Sequence, residues 1–145
     1  MPYINIQDMN IQEIRPEAFN AQIAFANAIK PKIITPIQTE LLKIRISQIN
    51  GCFYCLKMHT EKAISIGETQ SRLTALPVWR EAPLFTQEEK SILELAERLT
   101  LIHSHQDPYE GIVDIIGKDV ATDVLMTTVA INSWNRIMKT QVINP

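Results

Sequence analysis

The sequence has few of the features that mark several large classes of protein. It contains only two cysteines among 145 residues, too few to staple a small secreted domain with disulfides. Its 14 basic and 16 acidic side chains give a net charge of −2, which argues against a partner bound mainly through nucleic-acid phosphates. Hydrophobic residues make up 46% and charged residues 21% of the chain, a globular rather than a disordered composition.

Long hydrophobic runs are also lacking. The longest uncharged stretches, residues 18–29 and 124–135, are well short of the roughly 20 apolar residues that a membrane helix needs. The N-terminal residues show no basic segment followed by a continuous apolar one, so no secretory signal is predicted. We therefore expect no membrane and no nucleic-acid partner, and a cytoplasmic location in which cysteines are normally reduced.

Only 4 glycines and 8 prolines interrupt the chain, and they separate segments of helical period. The sequence therefore predicts an all-α fold, a bundle of about six to seven helices, with residues 1–145 as a single domain. A short helix is predicted from Asp107 to Gly117 and a long one over residues 119–139, whose apolar side includes Trp134 and Met138.

Two predicted helices begin with capping boxes. Thr35 and Gln38 form the first and predict a helix over residues 36–50. Thr86 and Glu89 form the second. A stripe of apolar residues at helical spacing follows the second box: Ile92, Leu95, Ala96, Leu99 and Ile102.

The two cysteines belong to a CxxC pair at the start of a helix predicted over residues 52–66. Positions i, i+3 and i+7 of a helix share a face, so Cys52, Cys55 and His59 line up, with Ala63 and Ile66 continuing the stripe. Residues three apart on a helix have Cα atoms roughly 5 Å apart, which a disulfide tolerates. The first turn of a helix favours a thiolate, and a nearby histidine accepts the thiol proton. The pattern favours a redox-active site.

Two other interpretations of these residues stay open. Cysteine is among the most buried residue types, so Cys52, Cys55 and His59 are also compatible with an ordinary core. They also supply three zinc ligands, but a structural zinc site needs a fourth, and His103 or His105 would have to be recruited from a loop. The redox interpretation is favoured, and no metal or cofactor is expected.

Glu40 is a further candidate. It lies between Ile37 and Ile44, on the side of its helix that is expected to pack against the cysteine helix. A carboxylate there would be partly desolvated and placed to relay a proton through His59. A surface ion pair with Lys43, three residues further on, explains the spacing equally well.

Several blocks of the sequence carry a family resemblance. They are residues 16–17 (PE), 45–55 (RISQINGCFYC) with 58–60 (MHT), 79–86 (WREAPLFT) and 131–136 (INSWNR). These blocks resemble, in the same order, those of the alkylhydroperoxidase D-like, carboxymuconolactone decarboxylase-like family. The resemblance covers about residues 16–139. It implies an all-helical fold that assembles into homo-oligomers, as a dimer, trimer or hexamer.

The resemblance also implies a function, a thiol peroxidase that reduces organic hydroperoxides or hydrogen peroxide. Glu40, Cys52, Cys55 and His59 match the family spacing E-x11-C-x2-C-x3-H position by position. By this resemblance Cys55 is the peroxidatic thiolate, Cys52 is the resolving thiol, and Glu40 with His59 forms a proton relay. A thiol reductant, of the dihydrolipoyl type, reopens the disulfide, and no cofactor is implied. The chain departs from the founding enzyme at Tyr54, where that enzyme has a histidine.

Other functions remain as alternatives to the peroxidase. A general disulfide oxidoreductase would use the same cysteine pair to exchange with protein thiols. A non-catalytic zinc-binding or interaction module would use it as metal ligands. The decarboxylases of the superfamily lack the cysteine pair, so decarboxylation is not expected.

Overall fold

The computed structural model describes residues 10–140, which form seven α-helices joined by short loops and contain no β-strand. The helices are α1 (Ile11–Ile14), α2 (Pro16–Ala28), α3 (Pro36–Asn50), α4 (Phe53–Ser65), α5 (Gln70–Ala75), α6 (Gln87–Thr100) and α7 (Val113–Lys139). The predicted all-α class is confirmed. That residues 1–145 form one domain stays a prediction. Residues 1–9, for which no secretory signal is predicted, lie outside the described part.

Local sequence signals set the ends of the central helices. Thr35 caps α3 by accepting the backbone N–H of Gln38, and Gln38 returns a bond to the N–H of Thr35. Gly51 ends α3 in the left-handed region, at φ 66°, which favours glycine. Thr86 and Glu89 form the same reciprocal pair at α6. Both predicted capping boxes are confirmed.

The helix α3 is the centre of the bundle and packs against α4, α6 and α7. Leu42 and Ile46 face a cluster built with α6 and α7. Leu41 and Ile44 face a second cluster built with the segment from α4 to Phe85. Because neighbours cover α3 on two sides, its buried surface extends over more than one face of the helix.

Three predicted details of the helices are corrected. The α6 backbone leaves the helical region at Leu101, so Ile102 lies in a 3₁₀ turn with 61% of its surface exposed instead of continuing the stripe. The short helix predicted from Asp107 begins only at Val113, after a series of turns. Ile66 caps α4 and is exposed, so the buried face of that helix ends at Ala63.

The helix α7 is the longest, with 27 residues. Gly117 breaks its regular backbone at φ 80° and ψ 165°, a conformation that glycine alone adopts readily, and this separates a first turn from the long helix as the sequence predicts. Beyond the break, α7 packs along α3 and α6, and Trp134 meets Phe19 of α2 edge-to-face at 5.7 Å. Across residues 10–140, no helix combines the length and hydropathy required to span a membrane.

Candidate active site

The tight turn between α3 and α4 places the two cysteines at the start of α4. Cys52 is the N-cap residue, and its Sγ accepts the backbone N–H of Cys55 at 3.4 Å. The Cα atoms of the pair are 5.4 Å apart, and a disulfide joins the two sulfurs. The sequence places both cysteines within the first turn; Cys52 instead lies one position before it, as the cap.

His59 and Glu40 meet at the buried contact between α4 and α3. His59 Nδ1 lies 2.7 Å from Glu40 Oε2, and the two residues are 7% and 1% exposed. The other carboxylate oxygen, Oε1, pairs with Lys62 Nζ at 3.1 Å. Glu40 is therefore a buried carboxylate held from both sides. The alternative of a surface ion pair with Lys43 is wrong, because α4 covers this side of α3 and supplies both partners.

The environment of Glu40 keeps it ionised. Burial by itself raises the pKa of this carboxyl, but the hydrogen bond and charge of His59, with contributions from Lys43 and Lys62, lower the pKa below its ordinary value. A carboxylate accepts hydrogen bonds and cannot donate them, so the Nδ1–H of His59 must be the donor in this contact. In the neutral imidazole, this leaves Nε2 with a free lone pair.

Cys55 and His59 both line a largely apolar cavity of about 300 Å³. Its walls come from α2, α3, α4 and α7, and include Phe19, Met58 and Trp134. Among the described residues that line it, Cys55 is present and Cys52 is not, although each cysteine is only 1% exposed. A small molecule in this cavity would meet one sulfur of the pair and the imidazole together.

The sequence did not identify several residues of this cavity. Trp134 and Met138, predicted as part of a core stripe, are half-buried and line the cavity. Lys43 and Thr127 also line it. For the cavity residues on α7, the sequence signal is helical spacing, since Thr127, Ile131, Trp134 and Met138 recur at intervals of four, three and four.

His103 and His105 lie apart from this arrangement. Both are exposed after α6, His103 in a 3₁₀ turn and His105 just beyond it, and neither lines the cavity. Within residues 10–140, no group of three or more His, Cys, Asp or Glu side chains is arranged to hold a metal ion.

The profile of the carboxymuconolactone decarboxylase family matches residues 16–98, more than half of the chain. The chain belongs to the carboxymuconolactone decarboxylase family. In this family member, the matched range contains Glu40, Cys52, Cys55 and His59, whereas the wall contributed by α7 lies beyond it.

Individual relatives support the assignment to the carboxymuconolactone decarboxylase family. The uncharacterized protein YdfG of Bacillus subtilis (strain 168) is 37% identical over 134 residues, which is 90% of this chain and 91% of YdfG. The uncharacterized protein YnjA of Escherichia coli (strain K12) is 33% identical over 64 residues, 44% of this chain and 35% of YnjA.

A solved structure shares the fold of this family member. It is the crystal structure of a protein of unknown function from Agrobacterium tumefaciens, for which a role as the antioxidant defence protein AhpD has been suggested. The TM-score is 0.82 at 28% identity, with 94% of this chain and 97% of the other covered. The AhpD-like resemblance noted in the sequence is confirmed at the level of family and fold.

Proposed function

We propose that the protein is a thiol peroxidase that reduces hydroperoxides at Cys55. The observation that carries this proposal is the shared exposure of Cys55 and His59 to one apolar cavity, with the ionised Glu40 behind the imidazole. The cavity suits a hydroperoxide with a small apolar body. The role suggested for the Agrobacterium neighbour, antioxidant defence, is of the same kind.

The first step is the oxidation of Cys55. In the reduced protein, the Cys55 thiol gives its proton to Nε2 of His59, and Glu40 stabilises the imidazolium through Nδ1–H. The thiolate then attacks the terminal oxygen of the hydroperoxide, and the O–O bond breaks. Cys55 becomes a sulfenic acid, and the departing alkoxide takes the proton back from His59 and leaves as an alcohol.

The second step joins the two cysteines. The Cys52 sulfur attacks the sulfur of the Cys55 sulfenic acid, water leaves, and the disulfide forms. As the N-cap residue, Cys52 has its sulfur beside the Cys55 N–H, an environment that favours the thiolate needed for this attack. A dithiol reductant, of the dihydrolipoyl type, then returns two electrons by thiol–disulfide exchange and itself becomes a cyclic disulfide.

The test uses the fully reduced protein and one equivalent of cumene hydroperoxide. We expect the intact mass to fall by two hydrogens in wild type, a sulfenic acid to be trapped on Cys55 in Cys52→Ser, and no oxidation at Cys52 in Cys55→Ser. With excess peroxide and a lipoamide reducing system, only wild type should turn over. Retention of the peroxide rate in Cys55→Ser would refute the proposal.

Replacing the peroxide with a protein disulfide as the oxidant distinguishes the proposed peroxidase from a general disulfide oxidoreductase. Both cysteines are 1% exposed, so we expect exchange with a protein disulfide to be much slower than oxidation by the peroxide. Faster reaction with the protein disulfide would favour the oxidoreductase instead.

A further inference from the structure

Lys43 is a basic residue in the wall of the cavity. It lies one helical turn beyond Glu40 on α3, is half-buried, and lines the cavity with Cys55 and His59. The two carboxylate oxygens of Glu40 pair with His59 and Lys62, one with each. The Lys43 side chain makes no hydrogen bond or ion pair with any other residue of the described range.

An ammonium group in an apolar cavity is destabilised when no counter-charge is bound to it, because it has lost part of its hydration. Burial lowers the pKa of Lys43, and the charge of Glu40 opposes this only in part. A bound anion would provide the missing partner and would be only weakly screened by water. A buried charge without a partner is costly in free energy. We therefore expect the site to bind an anionic ligand more tightly than a neutral one.

Thr127 is a second polar residue of the same cavity. It is 2% exposed, and its hydroxyl makes no hydrogen bond within residues 10–140. It lies on α7, which packs against α3. Buried hydroxyl groups almost always have a partner, so a ligand with oxygen atoms would also satisfy this one.

We propose that the cavity binds hydroperoxides that carry a carboxylate on an apolar body, with the carboxylate paired to Lys43. This inference rests on the proposed peroxidase function and specifies its substrate class. Lys43 and Glu40 are one turn, about 5 Å, apart along α3, so the carboxylate would lie several bonds from the O–O group that meets Cys55. The apolar body would lie against the aromatic and methionine side chains of α2, α4 and α7.

The binding test uses a matched pair of unreactive ligands, 4-isopropylbenzoate and the neutral 4-isopropylbenzamide. Calorimetric titration of the disulfide form measures their affinities without any redox step. We expect wild type to bind the acid at least about tenfold more tightly than the amide, as a charge-assisted contact in an apolar site would provide. Lys43→Met should lose this preference and Lys43→Arg should keep it.

Lys57→Met is the matched control. It removes the same charge from an exposed position on α4, where Lys57 pairs with Glu61 and does not line the cavity. This variant should keep the preference for the acid. A thermal melt checks folding, and Lys43→Gln replaces Lys43→Met if the latter does not fold. Equal affinities in wild type, a preference that survives without Lys43, or no binding of either ligand at millimolar concentration would each overturn the inference.

A kinetic experiment tests whether the carboxylate that pairs with Lys43 belongs to the hydroperoxide or to an acidic thiol reductant. Reduced protein is oxidised in a single turnover, with no external reductant, by cumene hydroperoxide or by its 4-carboxy derivative. We expect the ratio of the two rate constants to favour the acid about tenfold in wild type and to approach one in Lys43→Met. Using the ratio cancels any effect of Lys43 on Glu40, because that effect is common to both substrates.

The two proposals fail in different ways. If neither peroxide oxidises Cys55 but the acid still binds through Lys43, the peroxidase proposal is wrong and the anion site stands as a site for another ligand. If both peroxides oxidise Cys55 at equal rates, the peroxidase stands and the substrate class is wrong.

Discussion

His59 Nδ1 lies 2.7 Å from Glu40 Oε2, in a buried contact between two helices whose partners are 19 residues apart in sequence. Lys62 holds the second carboxylate oxygen, so Glu40 cannot rotate away without breaking two interactions. The contact fixes both the tautomer and the orientation of the imidazole beside Cys55. In the proposed peroxidase we therefore expect Glu40 to be a positioning residue that acts through His59 and not on the substrate directly.

The first prediction concerns Glu40→Gln. The amide keeps the shape of the carboxylate but removes the charge that stabilises imidazolium, so we expect oxidation of Cys55 by peroxide to slow about 100-fold. The pH profile of this rate should also change, because the amide carries no charge to balance the imidazolium that forms when Cys55 transfers its proton. Stopped-flow oxidation of the reduced protein between pH 5 and pH 9 measures both effects.

Glu61→Gln is the control for this experiment. It makes the same chemical change on the exposed side of α4, where Glu61 pairs with Lys57. This variant should react like wild type. A loss of rate in Glu40→Gln that leaves the pH profile unchanged would show that Glu40 has a merely structural role.

The second prediction concerns stability at low pH and Glu97. Burial by itself raises the pKa of this residue, but hydrogen bonds from Trp79, Arg45 and Arg80 lower it below its ordinary value of 4.5. A carboxyl whose pKa is lower in the folded state stabilises the fold above the unfolded pKa, and this contribution is lost as the pH falls through the folded pKa. Glu97 therefore stabilises the protein at neutral pH and ceases to do so in acid.

Urea unfolding of wild type and Glu97→Gln checks this linkage. At pH 7 we expect the variant to be less stable by about 2 kcal/mol, as for loss of a buried charged hydrogen bond. The difference should shrink as the pH falls below 4.5. Glu110→Gln, on an exposed loop, serves as control. A difference that is the same at pH 7 and pH 3.5 would contradict the assignment.

The sequence was most informative where local chemistry determines the structure. Thr35 and Thr86 predict the starts of their helices because an N-terminal cap involves only a few adjacent residues. The end of α3 at Gly51 is likewise determined locally. The alignment of Cys55 with His59 is likewise a property of one helix. These features could be predicted without knowing how the helices pack.

Features that depend on packing between helices could not be derived in this way. Helical spacing alone is compatible with both interpretations of Glu40, a surface ion pair with Lys43 and a buried proton relay, because the choice depends on α4 lying against α3. The family resemblance favours the relay. The sequence does not predict the cavity lined by Trp134, because apolar residues that face a cavity have the same helical periodicity as those that face the core. Spacing along α3 likewise does not predict that Lys43 makes no ion pair within residues 10–140, because this too depends on how the helices pack.

The third prediction concerns a buried amide network that holds the turn before Cys52. Asn135, 1% exposed, accepts a hydrogen bond from Asn50 Nδ2 at 2.9 Å and donates one to Ser47 Oγ at 3.0 Å. We expect Asn135→Ala to lower the free energy of unfolding by about 1–3 kcal/mol, because buried polar groups lose their partners. Loosening of the turn should also slow the attack of Cys52, so that dimedone traps more sulfenic acid on Cys55.

Chemical denaturation and mass spectrometry after dimedone treatment measure these two effects. Ser133→Ala, two residues earlier on α7, is the control, since the Ser133 side chain makes no hydrogen bond within the described range. Unchanged stability of Asn135→Ala would contradict the role of the network.

The last prediction concerns assembly. We predict a homo-oligomer, a dimer, trimer or hexamer, in which the apolar strip of Leu101, Ile102, Met126 and Val129 is covered by another subunit. These side chains are between 36% and 61% exposed in the single chain, and Ile102 and Val129 line one surface groove. Exposed apolar surface of this kind favours contact with a partner. Sedimentation equilibrium should give a multiple of 16.5 kDa for wild type and a smaller mass for Val129→Glu, because a carboxylate in the strip would be buried without a partner. Ser71→Glu places the same charge on exposed α5 and should leave the mass unchanged. A monomeric wild type would show that the strip is open to solvent, and the prediction would then be wrong.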